Sequence, residues 1–238
     1  MDKFQLELEA ATSAWTLIPV GISLDGPIYW NVETETHLLV IGQANGTIVS
    51  RNAIEDHCIK HSDMWSLVEF SHEEFHLITL VDFLREAYDE MMDRYKIMAE
   101  QSVSHFTDLK EKRKSIMIFI DDAGLFFGPE GFIDNFGEGD TDADLVKDAR
   151  DLIGLIARVG KAAGLHLALV TQRPDYSILS TDIKINITAR YTIGRLSDIA
   201  SFLAINTTHS KNTMFGVPGH GIFAVNGHER KVQGYFFE

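Results

Sequence analysis

The chain has 238 residues, of which 45% are hydrophobic, with a formal net charge of −14 and a single cysteine. This composition predicts a globular protein with a well-buried core and favours one domain over two, whereas a lone cysteine excludes an internal disulfide and a multi-cysteine zinc site. The negative charge opposes non-specific attraction to nucleic acid unless the basic residues cluster on one face. No apolar run approaches the roughly 18 to 20 residues that a membrane span requires, so we expect a cytoplasmic protein without a membrane segment.

The first part of the chain predicts short strands. Apolar segments at residues 15–20 and 27–32 are separated by the turn-prone Asp25-Gly26-Pro27, which is typical of strands joined by tight turns. We expect residues 1–36 to form edge strands that lead into a core over residues 37–238, all within one domain.

The next segment has the order of a phosphate-binding loop. An apolar run at residues 37–41 predicts a buried strand, and the glycine-rich residues 42–48 lead into a helical stretch. A P-loop, G-x-x-x-x-G-K-[ST], surrounds phosphates with backbone N–H groups, contacts them with its lysine and binds magnesium with its hydroxyl. Here the segment is one residue short, and Thr47 and Ile48 stand in the places of the lysine and the hydroxyl residue. The candidate residues for ATP binding are therefore Gly42, Asn45, Gly46 and Thr47.

Helices and strands alternate through the middle of the chain. Residues 77–81 fit either a strand end or a helix start, and apolar residues from Phe83 to Met98 recur at helical spacing, which predicts a core-packed helix over residues 82–100. The fully apolar residues 115–120 predict a central parallel strand. Asp121 and Asp122 follow at its carboxyl end, where open α/β sheets bind their ligands.

The second half of the chain continues the alternation. An acidic, glycine-rich loop extends to Thr141 and precedes a helix over residues 145–163 that Asp142 or Asp144 can cap and that Gly164 ends. The remaining predicted elements are a strand at 165–171, a helix within 178–185, a strand at 190–193, a helix at 197–205, and a hairpin around Asn226-Gly227. This order predicts a parallel sheet with helices on both faces and a ligand site where residues 42–47, Asp121 and Gln172 converge.

Three ordered groups of residues resemble the FtsK/SpoIIIE family of DNA translocases, which are hexameric RecA-like motors. Residues 90–98 (EMMDRYKIM) are similar to the family's E-M-x-R-R-Y-K-x-M helix, residues 116–122 to its Walker B strand, and residues 171–174 (TQRP) to its T-Q-R-P signature. The resemblance covers residues 30–238. It implies an α/β, RecA-like P-loop NTPase fold with a mostly parallel sheet and helices on both faces.

The resemblance also assigns roles to positions. It implies that Asp121 holds magnesium through water, that Gln172 senses the γ-phosphate, and that Asp122 stands where such motors carry a catalytic glutamate. Ala200 stands where the family places an arginine that could act in trans. With Thr47 and Ile48, four departures fall on one reaction, which implies a poor or inactive ATPase that binds ATP and Mg²⁺ weakly or not at all.

Three functions remain open at this point. One is a translocase-type domain with a degenerate site that acts on double-stranded DNA in a homo-oligomeric ring or with an active ATPase partner. The second is a protein-binding pseudo-ATPase domain like those of type VII secretion ATPases, and the third is a structural protein of a phage or mobile element. The candidate residues for DNA contact are Lys110, Lys112, Arg113 and Lys114.

Two further patterns have simpler explanations. His57 and His61 are spaced like metal ligands on a helix, but no third ligand is apparent, so we interpret them as solvated histidines. The acidic residues Asp140, Asp142, Asp144 and Asp151 imitate a calcium loop. Leu145 occupies the position that requires glycine, which favours an acidic surface loop with a helix cap.

Overall fold

The computed structural model describes residues 14–42, 44–71, 76–127, 141–175, 178–213, 217 and 219–234. Its strands are β1 (Leu17–Ser23), β2 (Gly26–Asn31), β3 (Leu38–Gly42), β4 (Trp65–Phe70), β5 (Ser115–Ile120), β6 (Leu165–Thr171), β7 (Ala189–Ile193), β8 (His220–Val225) and β9 (His228–Gly234). Its helices are α1 (Ala44–Lys60), α2 (Leu77–Gln101), α3 (Ala123–Phe127), α4 (Thr141–Ala163), α5 (Thr181–Asn186) and α6 (Asp198–Ile205). Short 3₁₀ turns lie at Phe106–Asp108 and His209–Asn212.

The strands of the described residues form one mixed sheet in the order β2-β1-β9-β8-β7-β3-β6-β5-β4. Five adjacent strands run parallel to one another: β7, β3, β6, β5 and β4. The other four strands, β2, β1, β9 and β8, join the sheet by antiparallel pairing. Parallel neighbours need crossover connections, which the helices supply, and the antiparallel strands come from two tight hairpins. The predicted α/β fold is confirmed, and its parallel part is the half of the sheet that carries the expected site.

Helices cover both faces of the parallel strands. On one face Ile54 and Cys58 of α1 pack with alternate strand residues, among them Val40, Phe119 and Tyr191. On the other face α2, α4 and α5 pack against the intervening residues of the same strands. Every residue of β3 and β6 is therefore buried, as expected for strands covered on both sides.

Most predicted elements are confirmed, and four details are corrected. The strand at residues 165–171 has the predicted bounds, and residues 77–81 belong to the helix, which therefore begins five residues early. Met92 is exposed, so it lies outside the core-packed stripe. Because α4 begins at Thr141, Asp142 and Asp144 lie inside it and do not cap it. Strand β4 was not predicted, because Ser66 and Glu69 interrupt its apolar pattern.

Two turns follow directly from residue type. Gly164 ends α4 with a φ of 76°, and a Cβ there would lie 2.6 Å from the Phe106 ring. Asn226 and Gly227 have φ values of 50° and 82°, which suit the tight turn of the predicted hairpin. The first hairpin, β1 and β2, lies at one edge of the sheet. That the whole chain forms one domain stays a prediction.

Candidate functional site

The predicted site residues lie along the carboxyl edge of the parallel strands. Strand β3 lies between β7 and β6, and β5 follows β6 on the other side. Gly42 ends β3, Asp121 follows β5, and Gln172 follows β6. The sheet thus brings these three positions to the same edge, where α/β proteins bind ligands.

The connection from β3 to α1 is much shorter than the predicted turn. Strand β3 includes Gly42 and α1 begins at Ala44, so residue 43, which lies outside the described residues, is the whole connection. A loop that surrounds phosphates needs several residues between strand and helix. The prediction of a glycine-rich turn over residues 42–47 is therefore wrong from residue 44 onward, because this segment adds a turn to the helix.

The remaining nucleotide candidates consequently lie on the first turn of α1. Asn45, Gly46 and Thr47 are helical, and the Thr47 side chain, in the place of the lysine, is only 5% exposed. Ile48, in the place of the magnesium-binding hydroxyl, is 52% exposed and has no oxygen to offer. What this segment retains is a helix N-terminus, whose first N–H groups and dipole favour negative charge.

Gly42 is explained by packing. A Cβ at this position would lie 2.7 Å from the Ile193 carbonyl oxygen of the neighbouring strand β7. Any side chain would therefore push β3 and β7 apart at their carboxyl ends. A glycine here requires no phosphate to account for it.

The two aspartates after β5 have different environments. The Asp121 N–H donates a 2.8 Å hydrogen bond to the Phe70 carbonyl oxygen, which continues the pairing of β5 with β4 by one residue. Asp122 has a φ of 50°, a left-handed conformation that aspartate tolerates better than most residues, and its carbonyl oxygen accepts from the Leu125 N–H at the start of α3. The chain turns sharply at Asp122, so successive aspartates face different surroundings.

The predicted catalytic pair meets at this edge. The Gln172 side-chain nitrogen donates to Asp122 Oδ2 at 3.2 Å. Beside it, the Thr171 hydroxyl and the Arg173 backbone exchange two 3.1 Å hydrogen bonds that form the turn after β6. The T-Q-R-P segment therefore presents Gln172 toward Asp122, and a ligand at this position would contact both side chains.

An ion pair that the sequence did not predict lies next to these residues. Arg51, one turn beyond Thr47 on α1, contacts Glu69 Oε2 of β4 at 3.3 Å. The hydrogen bond with Glu69 raises the pKa of Arg51, and the charges of Asp121 and Glu55 add to this effect. No sequence signal could identify the pair, because strand β4 itself was not recognised.

The position of the family's arginine lies on α6. The Ala200 N–H donates to the Ser197 side chain, which caps the helix at 3.1 Å. Ile199 and Phe202 on the same helix are 75% and 56% exposed. This helix therefore presents apolar side chains where the resemblance implies an arginine.

The other candidate residues have structural partners. His57 Nε2 hydrogen-bonds with the Trp15 carbonyl oxygen at 2.9 Å, and burial lowers the His57 pKa to about 4, so His57 is not a solvated histidine as predicted. Within the described residues, no group of three histidine, cysteine or acidic side chains is placed to bind a metal ion. Asp144 and Asp151 lie within α4, so a calcium loop at these positions is excluded, while Asp140 lies outside the described residues.

The basic segment lies at the opposite edge of the sheet, just before β5. Arg113 contacts Glu90 at 2.8 Å and Asp93 at 3.2 Å, so two carboxylates compensate its charge. Lys110, Lys112 and Lys114 are exposed. The part of the chain that the structure describes contains no helix long and apolar enough to cross a membrane.

Comparisons with known proteins agree with this architecture. No protein-family model matches the chain. The DNA translocase FtsK of Clostridium acetobutylicum is 31% identical over 144 residues, which cover 55% of this chain and 16% of that protein. The chain thus spans less than a fifth of the length of this curated relative.

Solved structures resemble the whole fold. The pCW3 conjugation coupling protein TcpA, in its monomer form with ATPγS, matches 100% of this chain and 69% of its own with a TM-score of 0.83 and 20% identity. The cytoplasmic domain of the type VII secretion ATPase EccC of Thermomonospora curvata matches 93% of this chain and 28% of its own, with a TM-score of 0.70 and 16% identity. The chain is thus similar in sequence to the DNA translocase FtsK over about half of its length, and it has the α/β, RecA-like fold of these solved ATPase structures.

Proposed function

We propose that this chain is a non-hydrolysing member of the translocase fold that works together with an active ATPase partner or in a ring. The observation that carries the proposal is the direct passage from β3 to α1, with residue 43 as the whole connection. Phosphoryl transfer depends almost entirely on positioning and charge stabilisation. Without a loop around the phosphates, neither requirement is met at β3.

The substitutions around the edge support the same proposal. Thr47 and Ile48 supply neither the lysine nor the exposed hydroxyl, and Asp122 is one methylene shorter than a catalytic glutamate. An arginine that acts in trans contributes about 10³ to 10⁵ in rate, and Ala200 cannot replace it. These losses affect separate parts of the reaction, so restoring one residue would not restore turnover.

Residual nucleotide binding is a separate part of the proposal. The N-terminus of α1 still offers backbone N–H groups and a favourable dipole to a phosphate, and Gln172 and Asp122 lie at the same edge. We expect ATP to bind weakly if it binds, because one helix N-terminus replaces a loop that would surround the phosphates on several sides.

Turnover of ATP tests the proposal directly. We expect the purified protein to release phosphate at the background rate, with or without double-stranded DNA, and Asp122→Asn to leave that rate unchanged. Asparagine keeps the tolerance for the left-handed backbone that Asp122 adopts, so the variant changes the charge with little change in structure. A DNA-stimulated rate that Asp122→Asn abolishes would show that the chain is an active motor.

The partner of this domain is DNA or another protein, and the structure favours protein. The net charge is −14, and the Arg113 charge of the basic segment is compensated by Glu90 and Asp93. The exposed Ile199 and Phe202 of α6 suit an apolar contact better than a phosphate backbone. The charges and the exposed apolar side chains therefore support a protein-binding role, which is the alternative suggested by the resemblance to type VII secretion ATPases.

Salt dependence of duplex binding separates the two roles. A chain that neutralises several phosphates loses affinity steeply as salt rises, because counterions are released on binding. We expect weak binding with little salt dependence for the chain alone. A steep slope that disappears when Lys110, Lys112 and Lys114 are all replaced by glutamine would establish direct DNA contact instead.

A further inference from the structure

The side chains of Glu69 and Asp121 point toward helix α1. In β4 and β5 the residues Trp65, Met117 and Phe119 face α1, because they belong to the same apolar cluster as its buried side chains. Successive side chains of a strand alternate between faces. Glu69 is an even number of residues from Trp65, and Asp121 is an even number of residues from Phe119, so both side chains belong on the same face as these residues. The two carboxylates therefore lie at the carboxyl ends of adjacent strands, on the α1 face.

Arg51 of α1 lies opposite these carboxylates. Its guanidinium contacts Glu69 Oε2 at 3.3 Å, while Glu69 Oε1 is fully buried and has no hydrogen-bond partner among the described residues. A buried carboxylate oxygen without a donor is costly unless a positive charge lies nearby. The hydrogen bond with Glu69 is the main cause that raises the pKa of Arg51, and the charges of Asp121 and Glu55 add to this effect.

The residues at this edge do not fit a magnesium ion. Magnesium at a P-loop needs a hydroxyl oxygen from the helix and a carboxylate beyond it. The helix offers Ile48 at the hydroxyl position, and the carboxylate side already faces the fixed positive charge of Arg51. A divalent ion placed beside this guanidinium would be repelled by it.

We propose that Arg51 is a built-in cation that takes the electrostatic place of magnesium at the carboxylates of Glu69 and Asp121. The site is therefore stable without a divalent ion and excludes one. This inference rests on the proposed loss of hydrolysis, because a domain that does not transfer phosphoryl groups can replace its metal ion with a fixed charge. It predicts that removal of the arginine, with nothing else changed, converts the edge into a divalent-cation site.

Manganese binding measured by electron paramagnetic resonance tests this conversion, because free Mn²⁺ is counted directly. We expect no tight manganese site in the unmodified protein and one new site in Arg51→Met, which should bind manganese at least about tenfold more tightly than any site of the unmodified protein. Methionine keeps the packing of the arginine stem and removes only the charge. Arg51→Lys keeps a charge near the carboxylates and should bind as little manganese as the unmodified protein.

A matched control comes from the protein surface. Arg85 contacts two carboxylates, Asp82 at 3.2 Å and Asp148 at 2.7 Å, but all three side chains are exposed. Arg85→Met changes the net charge by the same amount and should create no manganese site. In the Arg51→Met background, a second substitution, Glu69→Gln or Asp121→Asn, should remove the new site.

Each outcome has one meaning. Circular dichroism and the thermal midpoint establish that Arg51→Met is folded, and if that variant unfolds, the same counts are taken on Arg51→Gln. Manganese bound by the unmodified protein as tightly as by Arg51→Met, or no additional site in either charge-removing variant, would overturn the inference even if ATP turnover were absent. Phosphate release from ATP by the unmodified protein would overturn the proposed function, whereas the manganese counts alone decide whether Arg51 excludes a divalent ion.

Discussion

The two edges of the parallel sheet differ in how they use polar residues. At the amino edge His37 and His166 are buried and hydrogen-bond with the backbone, the first accepting from the Leu167 N–H at 3.0 Å and the second contacting the Thr36 carbonyl oxygen at 3.1 Å. At the carboxyl edge Asp122 and Gln172 contact each other through side chains, and Gln172 is exposed. The first set connects elements of the fold, whereas the second set is available to a ligand.

This difference explains which parts of the family resemblance are structural. Arg94, from the E-M-x-R-R-Y-K-like segment, is buried and donates to the carbonyl oxygens of Ala163 at 2.7 Å and Lys114 at 2.9 Å. It thereby ties α2 to the end of α4 and the start of β5. The fold requires a residue such as Arg94 whether or not the protein hydrolyses ATP, so its presence is no evidence of catalysis.

Loss of the amino-edge arginine should have the largest effect. Arg94→Met removes the donors to one buried and one partly buried carbonyl oxygen and a 2.8 Å contact with Glu90. We expect the free energy of unfolding, measured by urea denaturation, to fall by about 3 kcal/mol. The exposed Arg85→Met should lower it by less than about 1 kcal/mol. Similar effects of the two substitutions would contradict the structural role of the amino edge.

A substitution at the carboxyl end of β3 tests whether Gly42 is a packing residue. Gly42→Ala places a methyl group 2.7 Å from the Ile193 carbonyl oxygen, so we expect the free energy of unfolding to fall by about 2 kcal/mol. Gly154→Ala in α4, whose Cβ would come no closer than 3.9 Å to Ile183, should be neutral or stabilising by up to about 1 kcal/mol. Equal stability of both variants would show that β3 and β7 leave room for a methyl group at residue 42.

The buried histidines of the amino edge predict a response to acid. Burial lowers the pKa of His37 to about 3 and that of His166 to about 4. Below a pH of about 6.5 the unfolded chain therefore binds protons that the folded chain excludes, and the free energy of unfolding falls by up to about 1.4 kcal/mol per pH unit for each histidine. This loss begins near pH 6.5 and continues toward pH 4, and above pH 6.5 these groups contribute no pH dependence.

One substitution isolates the histidine contribution from that of the carboxylates. His166→Asn keeps a side-chain nitrogen at the position that contacts the Thr36 carbonyl oxygen but cannot bind a proton in this range. The slope of unfolding free energy against pH between 6 and 5 should become shallower by about 1.4 kcal/mol per pH unit. An unchanged slope would mean that His166 is already protonated in the folded protein.

The smallest effect on stability is expected at the carboxyl edge. Gln172→Ala removes a single 3.2 Å hydrogen bond from an exposed side chain, so the free energy of unfolding should change by less than about 0.5 kcal/mol. A loss as large as that of Arg94→Met would show that the T-Q-R-P segment serves the fold and not a ligand.

The sequence predicts the elements with strong periodicity and misses those that depend on long-range contacts. Alternating apolar segments and the Asn226-Gly227 turn locate β1, β2, β8 and β9, and a continuous apolar run locates β6. The sequence does not predict strand β4, because the exposed Ser66 and the half-buried Glu69, which pairs with Arg51 of α1, interrupt its apolar pattern. Its pattern in isolation resembles a loop as much as a strand.

The candidate site shows the same division. The convergence of Gly42, Asp121 and Gln172 follows from the order of strands and was predicted. The sequence does not predict that Asn45, Gly46 and Thr47 are helical, because two glycines and an asparagine within five residues favour a turn by local propensity. The Arg51–Glu69 pair joins elements whose packing the sequence does not reveal.

Calorimetric titration with a non-hydrolysable ATP analogue, in the presence of Mg²⁺ and again in EDTA, tests most directly whether the carboxyl edge has lost its phosphate loop and its metal ion. We predict that any heat of binding is the same in both conditions and unchanged in Asp121→Asn. Tight binding that requires magnesium and disappears in Asp121→Asn would contradict it, because such binding needs both the loop and the metal ion.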